Sequence, residues 1–216
     1  MPGALAVTVV VAYLLGSVPV AVLVARARGV DPRRSGDGNP GYWNVKELLG
    51  RRAALPVFAG DALKGVLGAL AGVAAGQLAG VDAHDRMVLA WTGTAAAMVG
   101  HAWPVFARFK GGRSILTFAG GLAVWSPRGF GLSICALLVV WALTRSFAWG
   151  TRVGVFTTPF AVLVVDGLWR TAALGLLLSL IGLRFALAGR GGSGGPASCG
   201  PDGSHPRSDD PPPERR

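Results

Sequence analysis

Charge is scarce in this chain. Only 15% of its 216 residues are Asp, Glu, Lys or Arg. A soluble domain carries about 25%, because its surface must face water. One or two soluble domains of this length are therefore excluded. Acidic residues are scarcest, 11 against 21 Lys and Arg, which leaves a net charge of +10. A basic excess suits a nucleic-acid partner, but such a partner does not explain why 51% of the chain is hydrophobic. No nucleic acid is expected. Cysteine is nearly absent: Cys135 lies in an apolar stretch and Cys199 near the C-terminus, so there is no disulfide framework. No cluster has metal-ligand spacing, and neither a metal nor a cofactor is expected. The GxxxxGK[ST] spacing of a Walker loop is also missing.

Long uncharged runs are what the sequence has instead. No charged residue occurs from Met1 to Ala25 or from Met87 to Ala107. A helix needs about 20 apolar residues to cross the ~30 Å hydrocarbon layer. Shorter clean runs are Gly65–Val81, Ser114–Pro127, Gly129–Thr144, Val153–Val165 and Thr171–Leu183. They span with their flanks or form short, tilted helices. The expected class is all-α: a polytopic membrane protein with about seven transmembrane helices. The first run has no basic n-region and is too long for a secretory signal, so it reads as an uncleaved span.

The cations orient these segments. Arg26, Arg28, Arg33, Arg34, Lys46, Arg51 and Arg52 fill the first connection. Arg108, Lys110 and Arg113 fill the third, and Arg145 and Arg152 the fifth. Five more arginines follow the last run. The alternate connections hold only Arg86, Arg128 and Arg170. By the positive-inside rule the N-terminus lies outside and the C-terminus in the cytoplasm. Trp91, Trp103, Trp125, Trp141 and Trp169 fall near span ends, where an aromatic belt is expected.

Two units are expected, a membrane domain over 1–188 and a tail over 189–216. In the tail 13 of 28 residues are Gly or Pro, with no aromatic or large aliphatic side chain. Such a segment buries too little apolar area to offset its chain entropy and is expected to be disordered. His205 and Asp210 show an H-x4-D spacing, which in so Pro-rich a setting reads as chance.

Three polar groups stand where a span or its edge does not require them. Arg33 to Asn44 holds three glycines, two arginines and two asparagines. It reads as a backbone concavity for an anion or as a basic turn. Lys110-Gly111-Gly112-Arg113 places two cations around two glycine N–H groups before a helix. That suits a phosphate, or a membrane-edge anchor on lipid phosphates. Asp61 and Lys64 lie one turn apart in the second segment, and His101 ends the third. Asp61 and Lys64 most simply pair with each other, and His101 reads as a helix cap, a lipid contact or a base. The two Gly- and cation-rich loops suggest one site for a phosphorylated substrate at the inner interface. Residue chemistry alone does not separate an enzyme from a transporter.

Specific motifs go further. Tyr13-Leu14-Leu15-Gly16-Ser17-Val18-Pro19, Gly36-Asp37-Gly38-Asn39-Pro40-Gly41 with Asn44-Val45, Asp61-Ala62-Leu63-Lys64-Gly65, and His101 through Thr117 follow in order over about residues 10–125. In these the chain resembles the bacterial integral-membrane glycerol-3-phosphate acyltransferases that use acyl phosphate. It departs from their motifs at several positions. Asp37 stands for a serine, Tyr42-Trp43 for Ala-Thr, Glu47 for an arginine, Arg113 for a lysine, and Ala148 for a serine. The family's C-terminal Asn-Ile-x-Arg-Leu stretch finds no counterpart around Arg184–Arg190.

The resemblance implies acyl transfer from acyl phosphate to the 1-hydroxyl of sn-glycerol 3-phosphate, giving lysophosphatidate for phospholipid synthesis. It implies a multi-pass protein of the bacterial plasma membrane with its site facing the cytoplasm and membrane lipid around it. His101, Asn39 and Asn44 are expected to act on the substrate. Ser35, Gly38, Gly41, Lys64, Lys110, Gly111, Gly112 and Arg113 are expected to hold phosphate. The alternatives are a paralogue, inactive or re-specified, that binds a phosphorylated lipid, and a small membrane transporter.

Overall fold

The computed structural model of the chain describes residues 1–190, all of whose regular elements are helical. They are α1 (Pro2–Gly16), α2 (Val20–Arg26), α3 (Tyr42–Leu49), α4 (Arg51–Leu78), α5 (Ala83–Ala102), α6 (Ile115–Trp125), α7 (Pro127–Thr144), α8 (Phe147–Asp166) and α9 (Leu168–Arg190), with a 3-10 turn at Val105–Ala107. Each uncharged run of the sequence lies in its own helical segment, the first shared between α1 and α2. Among the described residues, four segments are long and apolar enough to cross a membrane: Pro2–Arg26, Arg51–Leu78, Pro127–Thr144 and Leu168–Leu187. α6, at 11 residues, is shorter than a full crossing. Helix α9 continues to Arg190; the rest of the tail expected from residue 189, with its His205 and Asp210, lies outside the described residues.

The first run breaks where the sequence reads Gly16-Ser17-Val18-Pro19. Pro19 lacks the N–H that would continue α1, and it caps α2 instead. The break leaves Gly16, Val18 and Pro19 lining a cleft. α4 is the central element and packs against α1, α5 and α6. At 28 residues it is about 42 Å long. Its glycines set the packing distance. A Cβ at Gly65 would run into the carbonyl of Thr117, one at Gly68 would meet Gly93, and one at Gly72 the carbonyl of Leu89. Small residues at crossings let backbones approach closely, which drives helix association in lipid.

One apolar cluster joins α5, α6, α8 and α9 through Trp91, Met98, Phe118, Trp125, Val162 and Leu174. A second joins α2, α3 and α4 through Ala21, Ala25, Val45, Ala54 and Val57. The second pins the loop before α3. Trp91 and Trp125 correct the belt expectation. They are 7% and 2% exposed and meet edge to face with ring centroids 6.0 Å apart, so they pack the core. Trp141 and Trp169 are exposed, as belt residues are. Val10, Leu55, Phe156, Phe160, Val164 and Leu176 also face outward, a surface suited to lipid.

The connections gather at two ends. At one, Arg33 Nη1 reaches the carbonyl of Ala107 at 3.4 Å, Arg184 Nη2 donates to the carbonyl of Gly111 at 2.8 Å, and Trp43 meets Phe147. At the other, His84 stacks on Trp169, and Arg170 bonds Asp166 and the carbonyl of Trp125. The cation-rich connections share the first end.

Candidate active site

At the cation-rich end, α4 carries Asp61 and Lys64 three residues apart, hence on one face. The last turn of α5 brings His101 to them. Lys64 Nζ donates to Asp61 Oδ1 at 2.9 Å, and His101 Nδ1 lies 3.5 Å from the same oxygen and 3.4 Å from Nζ. The three are only 2%, 5% and 7% exposed. A buried ammonium without a partner carries a desolvation penalty of several kcal/mol, and Asp61 offsets it. With Nδ1 turned to the pair, Nε2 is the nitrogen left to face the opposite side, where Gly112 stands.

The segment after α5 folds back over that ring. Pro104 ends the helix, and Arg108 and Phe109 both take left-handed backbone conformations, at φ 55° and 59°. The chain returns so closely that a Cβ at Gly111 would collide with the carbonyl of His101, and one at Gly112 with its Nε2. At Gly111 a Cβ would force the backbone to move, and at Gly112 it would displace the imidazole. A narrow, partly open cleft results, with a cavity volume of only about 10 Å³. Its walls include the α1–α2 break and Pro40, and its polar lining is Asp61, Lys64, His101, Lys110 and the two glycines. Gly112 N–H is already bonded to the His101 carbonyl at 3.1 Å, and Lys110 N–H to that of Ala107 at 3.2 Å. Among the described residues, Gly111 N–H has no such partner.

The loop before α3 is built on Asn44. Its Nδ2 donates to the carbonyls of Pro32 and Ser35 at 2.8 and 2.9 Å, and its Oδ1 accepts from Asp37 N–H at 3.2 Å. Gly36, at φ +63°, leaves room for that amide. Arg33 straddles Asp31 through Nε at 2.9 Å and Nη2 at 2.7 Å. Its guanidinium holds the Asp31 carboxyl well below the usual carboxylate range, against the opposing effect of partial burial. Asp37 Oδ1 accepts from Asn39 N–H at 3.0 Å, and its Oδ2 lies 3.3 Å from Arg113 Nη1.

Of the residues expected at the site, Lys64, His101, Lys110, Gly111 and Gly112 converge on the cleft. Ser35, Gly38, Asn39, Gly41, Asn44 and Arg113 do not line it. Two expectations are corrected. Asn44 is 1% exposed and spends its amide on the loop backbone, so its place is in shaping the loop. Gly112 N–H is engaged within the chain, which leaves Gly111 as the free backbone donor of the pair. Ala148 stands in the first turn of α8. Two contributors went unassigned in the sequence. Asp61 was legible as an acid inside an apolar segment. Arg184, read there only as an orienting charge, bonds Gly111, and its guanidinium lies over the Trp103 ring at 5.6 Å. Its one signal was a cation directly after the last apolar run. Among the described residues no group of His, Cys, Asp and Glu side chains forms a metal site.

Comparison with known proteins places the whole chain. Residues 6–187 match the glycerol-3-phosphate acyltransferase family. A glycerol-3-phosphate acyltransferase of Rubrobacter xylanophilus is 39% identical over 203 residues, covering 87% of this chain and 97% of that one. One from Desulforudis audaxviator is 37% identical over 181 residues, covering 82% and 87%. The crystal structure of PlsY (YgiH), an integral membrane glycerol 3-phosphate acyltransferase in its glycerol 3-phosphate form, superposes with a TM-score of 0.65. It has 29% identity and covers 85% of this chain and 87% of that one. Its lysophosphatidic acid form gives the same score and identity.

Proposed function

The chain belongs to the glycerol-3-phosphate acyltransferase family, and from that premise we propose that its cleft moves an acyl group from acyl phosphate to the 1-hydroxyl of sn-glycerol 3-phosphate. The products are 1-acyl-glycerol 3-phosphate, a phospholipid precursor, and inorganic phosphate. The observation that carries this reading is the convergence of Lys64, His101, Lys110 and Gly111 on one cleft.

An acyl phosphate is an activated mixed anhydride, so no covalent enzyme nucleophile is required. The glycerol oxygen attacks the acyl carbon, the carbon–oxygen bond to phosphate breaks, and phosphate leaves. The protein's work is to hold two anions in attack geometry and to stabilise charge on the acyl oxygen. Lys64 and Lys110 supply cations, and Gly111 N–H an oriented donor. His101 Nε2 orients the glycerol hydroxyl, whose proton passes to the substrate's own phosphate. Ser35, Gly38, Asn39 and Gly41 carry the loop that closes on the substrate, and Asn44 keeps its shape. Arg113 meets the incoming phosphate. The acyl chain lies along the apolar wall at the α1–α2 break, and the surrounding membrane lipid covers the outer helices.

The site faces the cytoplasm of a bacterial plasma membrane. The gathering of Arg33, Arg108, Lys110, Arg113 and Arg184 at the cleft end supports that orientation under the positive-inside rule. Seven crossings, with the N-terminus outside, agree with connections that alternate between the two ends. A transporter would need a polar route to the far end, whereas the cleft's polar groups sit at one end.

The test is direct. Purified protein in lipid nanodiscs receives acyl phosphate and radiolabelled glycerol 3-phosphate. Lysophosphatidate should form, and the Lys110→Ala variant should form far less. No product above that variant's level would overturn the assignment.

A further inference from the structure

The geometry points to a latch: Asp37 holds Arg113 across the two loops beside the cleft and yields it to the phosphate of an incoming substrate. The inference rests on reading the cleft as a phosphate-handling site. It makes Asp37 a residue that sets substrate affinity.

Asp37 and Arg113 are two of the positions at which this chain departs from the motifs it resembles, and the fold makes them partners. The contact joins the loop before α3 to the loop before α6, 76 positions apart in sequence. It is a single-point contact at 3.3 Å between side chains 32% and 41% exposed. Charge-assisted pairs of good geometry lie nearer 2.7–2.9 Å. The Arg113 guanidinium rests on the Phe185 ring at 4.7 Å, and its neighbour Gly112 lines the cleft. A phosphate there can engage the guanidinium through two parallel hydrogen bonds, which one carboxylate oxygen does not.

Asp37 is also built to let go. Its backbone stays fixed by Asn44, which accepts its N–H. Its neighbours Gly36 and Gly38 both hold left-handed conformations, at φ +63° and +70°, so a tight turn presents the side chain outward. Its other oxygen has a local partner in Asn39 N–H, so the carboxylate keeps a hydrogen bond after Arg113 leaves. Glu47 is equally acidic and close in sequence, yet it makes no such ion pair among the described residues. It serves as a control for net charge.

The experiment uses the full chain in phosphatidylcholine nanodiscs and measures inorganic phosphate binding by equilibrium dialysis. Asp37→Asn keeps an acceptor for Asn39 and removes the charge. It should tighten phosphate binding about two- to fivefold, the worth of an exposed ion pair. The same change in an Arg113→Gln background should have no effect, and neither should Glu47→Gln. Unchanged or weaker binding in Asp37→Asn overturns the latch. So does equal tightening in Glu47→Gln, or an Asp37→Asn effect that survives without Arg113. In the acyl-transfer assay, Asp37→Asn should lower KM for glycerol 3-phosphate. If the unaltered protein makes no lysophosphatidate, the functional assignment fails, and the dialysis measurements still decide the latch.

Discussion

Lys64 Nζ lies 2.9 Å from Asp61 Oδ1, one helical turn away on α4, and neither side chain is more than 7% exposed. This pair anchors the site. It places a paired cation in the cleft wall beside His101 and Lys110. It also contacts His101, whose Nδ1 is within 3.5 Å of both partners. Asp61 holds Lys64 and His101 through one carboxylate oxygen, so it is a positioning residue.

The pair separates structure from chemistry. Asp61→Ala leaves a buried ammonium uncompensated, which costs about 3–5 kcal/mol. A lower melting temperature and a large loss of kcat are expected. Asp61→Asn with Lys64→Met removes both charges. It should recover most of the melting temperature in a thermal unfolding scan while acyl transfer stays lost.

Gly111 and Gly112 should respond differently to alanine. A Cβ at Gly111 meets two carbonyls, those of His101 and Ala102, so the loop itself must move. Overpacking of this kind costs about 1–3 kcal/mol, and the melting temperature should fall. A Cβ at Gly112 meets the imidazole, which can turn, and the Pro40 carbonyl more loosely at 3.2 Å. Gly112→Ala should therefore keep more stability and lose more kcat. The two variants compared by melting and by steady-state kinetics check this.

Arg184 acts through the loop it holds. Its 2.8 Å bond to Gly111 is charge-assisted, and such bonds are worth about 1.5–3 kcal/mol. Arg184→Ala should raise KM for the phosphorylated substrates about tenfold or more. Arg184→Gln, which can still donate to the carbonyl, should recover part of it. Equal KM values for the two variants would argue against the hydrogen bond as the cause.

Asn44 predicts a difference between two substitutions. Asn44→Asp keeps the shape but replaces two donors with an oxygen facing the carbonyls of Pro32 and Ser35. Asn44→Ala only leaves them unpaired. Each unpaired buried group costs about 1–3 kcal/mol, and a buried charge adds to that. Asp should therefore be the more destabilising change, as measured by thermal unfolding of the purified variants.

Much of this was legible in the sequence. Lys64, His101, Lys110 and the glycine pair were marked because cations and glycines at the edge of apolar runs have no packing reason to be there. Asn44 was marked by the motif the chain shares with the family, and its amide holds its own loop. An asparagine's spacing in sequence does not say whether its amide faces a ligand or a backbone carbonyl. Arg184 was passed over because its partner, Gly111, is 73 residues away. Trp91 and Trp125 were read as belt residues because each stands near the end of a run, while the other ring that buries them belongs to a different helix.

The sequence by itself determined the class: helical, apolar outside, segmented, with cations on alternate connections. Hydrophobicity and charge are sums over local stretches, so they survive without knowledge of packing. Tertiary structure decided who meets whom. It turned Asp37 from an ill-placed acid into the partner of Arg113, and it gave Arg184 a place on the site. It also moved two tryptophans into the core. Each of these depends on distances between helices, which the close glycine crossings of α4 set and which no local stretch encodes.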